Sequence, residues 1–464
     1  MPAARRQMHL GVFVLGTGNH MAGWRHPGAF TSHMELPAMQ QIARIAERGK
    51  FDLVFISDSM AMDPTDHPSF MCRFEPTTLI TALAACTTHV GLGATVSTSF
   101  SEPYNVARIF GSIDHISGGR AAWNVVTSSN PKAALNFNLD EHIEHEQRYA
   151  RANEYVDVVR GLWDCWQDGA IVADQATGHY IDAAKVRPLD HRGRYFKVRG
   201  PLNMARCPQG HPVIIQAGGS PSGLELAART ADVVFSVVQE LAPARAAYAD
   251  LKGRMAKYGR DPDTLAVLPG VMTIIGDSDA EAREKLARLQ SWITPTNATT
   301  LVASRIGYDV SGHPLDGPVP PPPAALNSQT FPFVLYEMAK RENMTLRDLY
   351  NLTAAARGHW VLCGTPRGIA DTLEEWFVDG AADGFNILPA WFPGDFDAFV
   401  DRIVPELQRR GLFRCEYAGA TLREHLGIAA PGASPRTPPE ALPLDSAKGT
   451  ALGTHHLETG LTTG

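Results

Sequence analysis

The stretch VGLGATVSTSFSEPYNVARIFGSIDHISGGRAAWNVVT, residues 90–127, contains one complete strand–helix–strand unit. Residues 90–97 and 121–127 are apolar runs of strand length, continuous instead of alternating, as is typical of strands buried on both faces. Between them, Pro103 marks a first helical turn and the glycine pair at 118–119 ends the helix. The stretch therefore predicts two parallel strands joined by a helix.

The same alternation of apolar runs and helical patterns extends along the chain in both directions. The apolar runs are residues 9–15, 52–57, 90–97, 121–127, 212–217, 232–238, 266–276 and 384–390. Eight parallel strands that alternate with helices can close and leave no open sheet edge. We therefore expect an α/β fold, a (β/α)8 TIM barrel, as one domain over residues 1–429. A last helix is expected over residues 396–410.

Two long segments interrupt this alternation, residues 128–211 after the fourth strand and residues 277–383 after the seventh. Both follow the carboxyl end of a strand, which is the catalytic face of barrel enzymes, so we expect them to build a cover or substrate pocket. Within the second, residues 317–323 read GPVPPPP, which predicts a stiff polyproline II loop. Residues 430–464 carry few large apolar side chains, and we expect a disordered tail there.

Composition argues against several classes of protein. Lys and Arg number 42 and Asp and Glu number 49, a net charge of −7 without the basic excess that nucleic-acid binding uses. No apolar run approaches the roughly 20 residues of a membrane span. The six cysteines lie far apart with no C-x-x-C pair, so we expect reduced thiols in a cytoplasmic protein. Arg5 and Arg6 imitate the start of an export signal, but the apolar run that follows is short and is interpreted as the first strand.

Polar side chains at the strand ends are the first candidates for a site. Asp58 comes just after the second apolar run, where an acid either faces the active-site mouth or caps a turn. Thr95 and Asn124 lie inside apolar runs, and a buried polar group needs a hydrogen-bond partner. That partner is either a ligand or a neighbouring strand.

A helix is expected to begin near residue 145. His145, Tyr149, Ala152, Val156, Val159 and Trp163 recur at intervals of three or four, which predicts that they share a core-facing stripe. The segment EHIEH at 141–145 contains metal-ligand residue types, but it lacks the H-E-x-x-H spacing, so we expect no metal site.

The segment QAGGS at 216–220 follows the fifth strand and opens a helix. Its glycines, the free N–H groups of the helix terminus and the Ser220 hydroxyl together suit a phosphate, although such turns also occur without one. His20 and His359 lie in loops, where each is either an acid, base or orienting donor or an ordinary surface residue.

Eight segments in this order and spacing resemble the bacterial luciferase-like flavin-dependent monooxygenases. They are WRHP (24–27), GKFD (49–52) with Asp58, ISGGRAAWNVVTS (116–128), EHEQRY (144–149), VIIQAGGS (213–220), CGTPRGIAD (363–371), DGFNIL (383–388) and VPELQRRGL (404–412). The resemblance covers about residues 8–425 and is closest to the branch of nitrilotriacetate, long-chain alkane and dibenzothiophene sulfone monooxygenases.

This resemblance implies a two-component monooxygenase. Such an enzyme takes reduced FMN (FMNH2) from an NAD(P)H-dependent flavin reductase, forms a peroxyflavin with O2 and oxygenates a small organic substrate. It also implies a homodimer or homotetramer. By analogy Asp58, Thr95 and Asn124 line the isoalloxazine ring, while His145, Tyr149 and Ser220 hold the ribityl chain and phosphate. His20 and His359 match histidine-containing loops near the substrate and are the candidate catalytic residues. The family varies most in the loops that correspond here to residues 61–75 and 308–335, so the substrate is not identified.

Three alternatives stay open at this stage. A deazaflavin-dependent oxidoreductase on the same barrel would transfer hydride without consuming O2. A flavin-binding protein without catalysis would resemble the non-fluorescent relatives of luciferase, which lack such long insertions. A metal-dependent barrel hydrolase would contain a tightly bound metal after purification.

Overall fold

The computed structural model describes residues 6–62, 68–306, 308–323 and 331–432. Its strands are β1 (His9–Val14), β2 (Leu53–Ile56), β3 (Gly91–Ser97), β4 (Ala121–Val126), β5 (Ile171–Asp174), β6 (His179–Ile181), β7 (His191–Arg192), β8 (Lys197–Val198), β9 (Val213–Gln216), β10 (Val233–Ser236), β11 (Ala266–Ile275), β12 (Trp360–Gly364) and β13 (Gly384–Ile387).

The helices alternate with these strands. They are α1 (Leu36–Arg48), α2 (Pro68–Met71), α3 (Pro76–Ala84), α4 (Pro103–Ser117), α5 (Pro131–Ala134), α6 (His145–Trp163), α7 (Pro221–Thr230), α8 (Leu241–Arg254), α9 (Asp279–Ser291), α10 (Pro295–Ile306), α11 (Phe331–Arg341), α12 (Leu346–Ala356), α13 (Pro366–Val378), α14 (Gly394–Arg402), α15 (Val404–Arg409) and α16 (Leu422–His425). None of the described helices combines the length and the apolar character that crossing a membrane requires.

Eight parallel strands close into a barrel in the order β1-β2-β3-β4-β9-β10-β11-β13, and β13 pairs back with β1. These strands correspond to the eight apolar runs, so the predicted TIM barrel is confirmed. The expected tail at 430–464 lies outside the described residues from position 433 onward, as do residues 63–67 and 324–330 of the two variable loops.

Side-chain alternation along each strand separates two apolar cores. On β1, Leu10 and Val12 pack outward into the cluster shared with the surrounding helices. Phe13 packs inward against Phe55 and Phe235, with ring centroids 5.2 and 5.4 Å away. The continuous apolar runs thus reflect burial on both faces, as the sequence pattern predicts.

The structure divides the helix expected over 396–410. The chain forms α14 and then α15, with Ile403 between them and Pro405 in the first turn of α15. Because proline has no backbone N–H and its ring clashes with the preceding turn, a single helix cannot run through this position.

The second insertion adds one strand and a layer of helices. β12 extends the sheet outside the ring, parallel to β11 from Val271 to Ile275. α10, α11 and α12 pack around a separate apolar cluster that includes Met21 and Ala22 from the loop after β1. The backbone N–H of Met21 donates to the Ala354 carbonyl at 3.0 Å, so this helical layer lies at the mouth of the barrel, where a cover was expected.

The first insertion differs from that expectation. The hairpins β5–β6 and β7–β8 follow the end of α6, and β7–β8 packs along α6 itself: the Glu154 carboxylate accepts from the backbone N–H of Phe196 at 2.9 Å. Because α6 runs back from the mouth, both hairpins lie away from the carboxyl ends of the strands. Only the first part of the insertion, residues 128–144, remains at the mouth.

Candidate functional site

A cavity of about 380 Å³ opens at the carboxyl ends of β2, β3, β4 and β9. Its volume lies within the range of small-molecule sites. Hydroxyl, amide and backbone polar groups form much of its wall. The lining residues are Asp58, Ser59, Met60, Thr95, Ser97, Val125, Val126, Thr127, Ser128, Ser129, Asn130, Ala133, Tyr149, Gln216, Ala217 and Gly218.

Thr95 and Asn124 lie opposite each other on β3 and β4. The Thr95 hydroxyl donates to the Ile56 carbonyl at 3.0 Å and accepts from the Asn124 amide nitrogen at 2.8 Å. Thr95 lines the cavity, whereas Asn124 does not line it and is hydrogen-bonded to Thr95 from behind. Its amide oxygen is buried without a partner among the described residues, which suits a ligand N–H group.

Asp58 lines the cavity and also bonds to its own backbone neighbour. Its carboxylate accepts from the backbone N–H of Ser59 at 2.8 Å. Burial raises the pKa of Asp58, while the nearby Arg73 guanidinium lowers it. The carboxyl group is half-buried at the open edge of the site.

The turn after β4 forms one wall of the cavity and depends on residues that the sequence did not single out. Ser128 has a left-handed backbone with φ of 52°, and its hydroxyl donates to Ser97 at 2.8 Å. The buried Arg148 guanidinium donates to the Ser128 carbonyl, and His142 Nε2 lies 2.7 Å from the same oxygen. Arg148 belongs to the EHEQRY segment, yet only the tertiary structure shows that it supports the turn.

The cavity lining ends at Gly218, and two glycines pack against Tyr149 between it and α7. The Ser220 side chain accepts from the backbone N–H of Gly223 at 3.1 Å and so caps this helix. A Cβ atom on Gly218 would lie 2.9 Å from the Tyr149 hydroxyl, and one on Gly223 would lie 3.0 Å from it. Glycine at both positions therefore permits the close approach of the loop, the helix start and Tyr149.

Of the three residues expected to hold the ribityl chain and phosphate, Tyr149 lines the cavity, while His145 and Ser220 lie near Tyr149 but outside the lining. The His145 ring lies 4.9 Å from the Tyr149 ring, and Tyr149 reaches the loop before Ser220. The expected core-facing stripe is correct from Ala152 onward but wrong for His145, whose side chain is 42% exposed. The first turn of α6 lies at the cavity end of the helix, so its side chains reach the rim instead of the apolar core.

His20 and His359 lie away from the cavity wall, and neither is a surface residue. His20 Nδ1 accepts from the backbone N–H of Ala22 at 3.1 Å, and burial lowers the pKa of His20 to about 3, so the ring is neutral. The His359 ring stacks on Phe235 at 4.8 Å. The two histidines therefore belong to the β1 and β10 half of the barrel, across from the cavity.

That half of the barrel has an aromatic interior with a cation at its edge. Phe13, Phe55 and Phe235 lie with ring centroids 5.2 to 5.8 Å apart. The Arg357 guanidinium lies 4.8 Å from the Phe13 centroid and 5.4 Å from that of Phe70. The sequence offered no signal for Arg357 beyond its place two residues before His359.

The residues present fit a flavin that carries a phosphate group. An unpartnered buried acceptor at Asn124 suits a ring N–H, and the cavity lining ends at Gly218, close to the N-terminus of α7, where the helix dipole and the Ser220 and Ser222 hydroxyls suit an anion. Among the described residues, no group of three or more His, Cys, Asp and Glu side chains is arranged to hold a metal ion.

Comparison with protein families and characterised proteins agrees with this geometry. The luciferase-like monooxygenase family model matches residues 8–384. The chain is 48% identical to N-acetyl-S-(2-succino)cysteine monooxygenase of Bacillus subtilis, over 93% of this chain and 99% of that protein. It is 46% identical to nitrilotriacetate monooxygenase component A of Aminobacter aminovorans, over 92% and 98%.

Solved structures show the same barrel. Long-chain alkane monooxygenase superposes with a TM-score of 0.79 at 32% identity, over 91% of this chain and 95% of that one. A riboflavin lyase, solved with modified FMN and riboflavin, superposes with a TM-score of 0.81 at 29% identity, over 91% and 96%. The expected relation to the nitrilotriacetate and alkane monooxygenase branch is confirmed.

Proposed function

The chain belongs to the luciferase-like monooxygenase family, and from this premise we propose that it is the oxygenase of a two-component system. It uses reduced FMN and O2 to oxygenate a small organic substrate, and a separate NAD(P)H-dependent flavin reductase supplies the reduced flavin. One relative is named as component A of a monooxygenase, which supports a separate partner protein.

The cavity is the proposed flavin site. Reduced FMN, when bound, would supply the two electrons with which one atom of O2 enters the substrate and the other leaves as water. Asp58 and Thr95, which line the cavity, contact the flavin ring, and the Asn124 amide oxygen next to Thr95 accepts a ring N–H. Tyr149, His145 and Ser220 bind the ribityl chain and the phosphate beyond Gly218.

The aromatic half of the barrel is the proposed substrate chamber. Phe13, Phe55 and Phe235 make it apolar, which excludes water from the reacting atoms. The neutral His20 ring has a buried Nε2 without a partner among the described residues, so it can donate a hydrogen bond there. His359, held against Phe235, forms the adjoining wall. The helical layer of α10, α11 and α12 covers the mouth.

One observation carries this proposal: the cavity extends from Thr95, behind which the Asn124 amide oxygen is buried without a partner among the described residues, to Gly218, two residues before the Ser220 cap of α7. The first end suits a flat polar heterocycle, and the second lies next to a helix N-terminus, which favours an anion. A phosphate-bearing flavin has both features, whereas a metal-dependent hydrolase needs a ligand cluster that the described residues do not form. An oxidation experiment separates a monooxygenase from a deazaflavin-dependent enzyme and from a flavin-binding protein without catalysis.

The test is anaerobic mixing of the protein with photoreduced FMN, followed by rapid mixing with O2. We expect a transient absorbance band in the near ultraviolet and a delayed appearance of oxidised FMN relative to free flavin. Candidate substrates are then ranked by how much they accelerate the decay of that band. If the protein neither binds reduced FMN nor alters the course of its oxidation, the proposed function is wrong.

A further inference from the structure

Glu146 forms contacts at the proposed phosphate end of the cavity. It follows His145 in the first turn of α6, and its carboxylate oxygen Oε1 lies 2.9 Å from His145 Nδ1. The same carboxylate accepts from the Ser222 hydroxyl, with distances of 3.1 Å to Oε1 and 3.0 Å to Oε2. Ser222 belongs to the first turn of α7.

The partners of this carboxylate are those that suit a phosphate group. They are an imidazole nitrogen and a hydroxyl that belongs to the first turn of α7, where the helix dipole favours negative charge. The hydrogen bonds from His145 and Ser222 lower the pKa of Glu146, so the side chain carries its charge at neutral pH. An anion of the chain itself therefore lies beside the place where the ligand's anion is expected.

The cavity comes close to this place without any contribution from Glu146 to its lining. Gly218 lines the cavity, and a Cβ atom there would approach the Tyr149 hydroxyl to 2.9 Å. A Cβ on Gly219, the next residue, would meet no heavy atom within 4 Å, so there is open space before Ser220. A ligand that passes Gly218 brings its terminal group to the start of α7, close to Glu146.

We propose that Glu146 occupies the position of the cofactor's phosphate group in the flavin-free protein and leaves it when the cofactor binds. This inference rests on the proposed function, because it takes a phosphate-bearing flavin as the ligand. Glu146 then lowers the affinity for FMN but not for a flavin without phosphate. Such weakening suits a cofactor that arrives from a reductase and departs in every turnover.

The exposure of the side chains permits this exchange. Glu146 is 69% exposed and His145 is 42% exposed, so the carboxylate can turn into solvent without becoming a buried unpaired charge. Like charges near a protein surface repel each other modestly, and salt screens the effect. The expected change in affinity is therefore a fewfold effect that decreases as salt is added.

The test compares the full-length protein with its Glu146→Gln variant. Glutamine keeps the shape and can still accept from Ser222, but it removes the charge. Photoreduced FMN and photoreduced riboflavin are titrated anaerobically into each protein, and binding is followed by intrinsic protein fluorescence. We expect the FMN dissociation constant to fall about three- to tenfold and that of riboflavin to stay unchanged. At about 0.5 M salt the difference should largely disappear.

Glu284→Gln is the matched control, since Glu284 is an exposed acid on α9 that pairs with Arg288 at 3.2 Å. It should leave both dissociation constants unchanged. Unchanged FMN binding in Glu146→Gln would overturn the inference. Weaker FMN binding would also overturn it, because it would show that the carboxylate helps binding by orienting His145. Equal tightening for both flavins would exclude the phosphate as the group concerned. If the wild-type protein binds neither flavin, the proposed function fails and this inference fails with it.

Discussion

At the scale of single residues, Ser220 combines a structural and a proposed binding role. Its side chain accepts from the Gly223 backbone N–H and caps α7, and the same hydroxyl lies at the proposed phosphate site. Ser220→Ala should cost about 1 kcal/mol of stability through the lost cap. It should also weaken binding of reduced FMN by about 1 to 3 kcal/mol, measured by anaerobic titration.

A second helix cap separates these two effects. The Ser278 side chain caps α9 by accepting from the Glu281 backbone N–H, and it belongs to a different part of the barrel from the proposed phosphate site. Ser278→Ala should lose a similar amount of stability in denaturant unfolding with no change in flavin affinity. If Ser220→Ala behaves in the same way, its hydroxyl does not contact the phosphate.

Asn124 and Asn386 form a second matched pair. Both are buried in barrel strands, each 3% exposed, and each has an amide oxygen without a partner among the described residues. Only Asn124 bonds to a residue of the cavity wall. Asn124→Ala should weaken reduced-FMN binding by about 1 to 3 kcal/mol and increase the share of O2 that ends as free peroxide, whereas Asn386→Ala should do neither. If both variants weaken the binding of reduced FMN by the same amount, Asn124 acts through the packing of the barrel and does not contact the flavin.

Asp395 makes stability depend on pH. Burial raises the pKa of this carboxyl to about 7, above the value of about 4 expected in the unfolded chain. The folded protein therefore binds the proton more tightly, and the free energy of unfolding should fall as pH rises from about 4 to about 7. Above pH 7 this contribution stays constant.

The measurement is denaturant unfolding at pH 5 and pH 8. Asp395→Asn can keep the hydrogen bond from the Ala390 N–H while removing the titration, so it should be more stable than wild type at pH 8 and lose that part of the slope. Asp379→Asn, a change at an exposed acid that follows α13, should keep the wild-type slope. An unaltered slope in Asp395→Asn would contradict the assignment.

At the scale of elements, two glycines at the ends of helices should respond to alanine in opposite directions. Gly118 follows α4 with a left-handed φ of 69°, where a Cβ meets no atom within 4 Å but the backbone is strained. Gly253, inside α8, has equal space and no such backbone conformation. Gly118→Ala should therefore lose about 1 kcal/mol, and Gly253→Ala should gain about 0.5 to 1 kcal/mol, in denaturant unfolding. Changes of the same sign would contradict this explanation of the helix end.

Element boundaries were predictable wherever a local signal marks them. Pro103 and Gly118 delimit α4 as the sequence predicts, because each acts through its own backbone geometry. Pro405 carries an equally local signal, but the apolar spacing across it obscured the break between α14 and α15. β12 was missed because it forms outside the ring of eight, beside the second half of β11.

At the scale of the whole molecule, the helical layer over the mouth links folding to the proposed reaction. Met21, 3% exposed, joins the loop after β1 to the cluster of α10 and α12. Met21→Ala should cost about 2 to 4 kcal/mol of stability and, by loosening the cover, increase free peroxide during flavin oxidation. Met255→Ala, at a fully buried methionine packed near α7 and α8, should lose stability alone. If both variants release the same amount of free peroxide, the helical layer does not protect the reaction from water.

The expected homodimer or homotetramer stays a prediction, which sedimentation equilibrium of the purified chain can decide.

By itself the sequence determined the barrel and the position of the proposed site. Continuous apolar runs, prolines at helix starts and glycines at helix ends act over a few residues, so the eight strands and the placement of Thr95, Asn124 and Ser220 near strand ends could be inferred locally. The tertiary structure alone decided which distant side chains meet. Arg148 supports the Ser128 carbonyl, Glu146 contacts Ser222 on another helix, and Arg357 lies over Phe13. Those contacts join segments far apart in the chain, and their energies depend on distances that exist only after the barrel has closed.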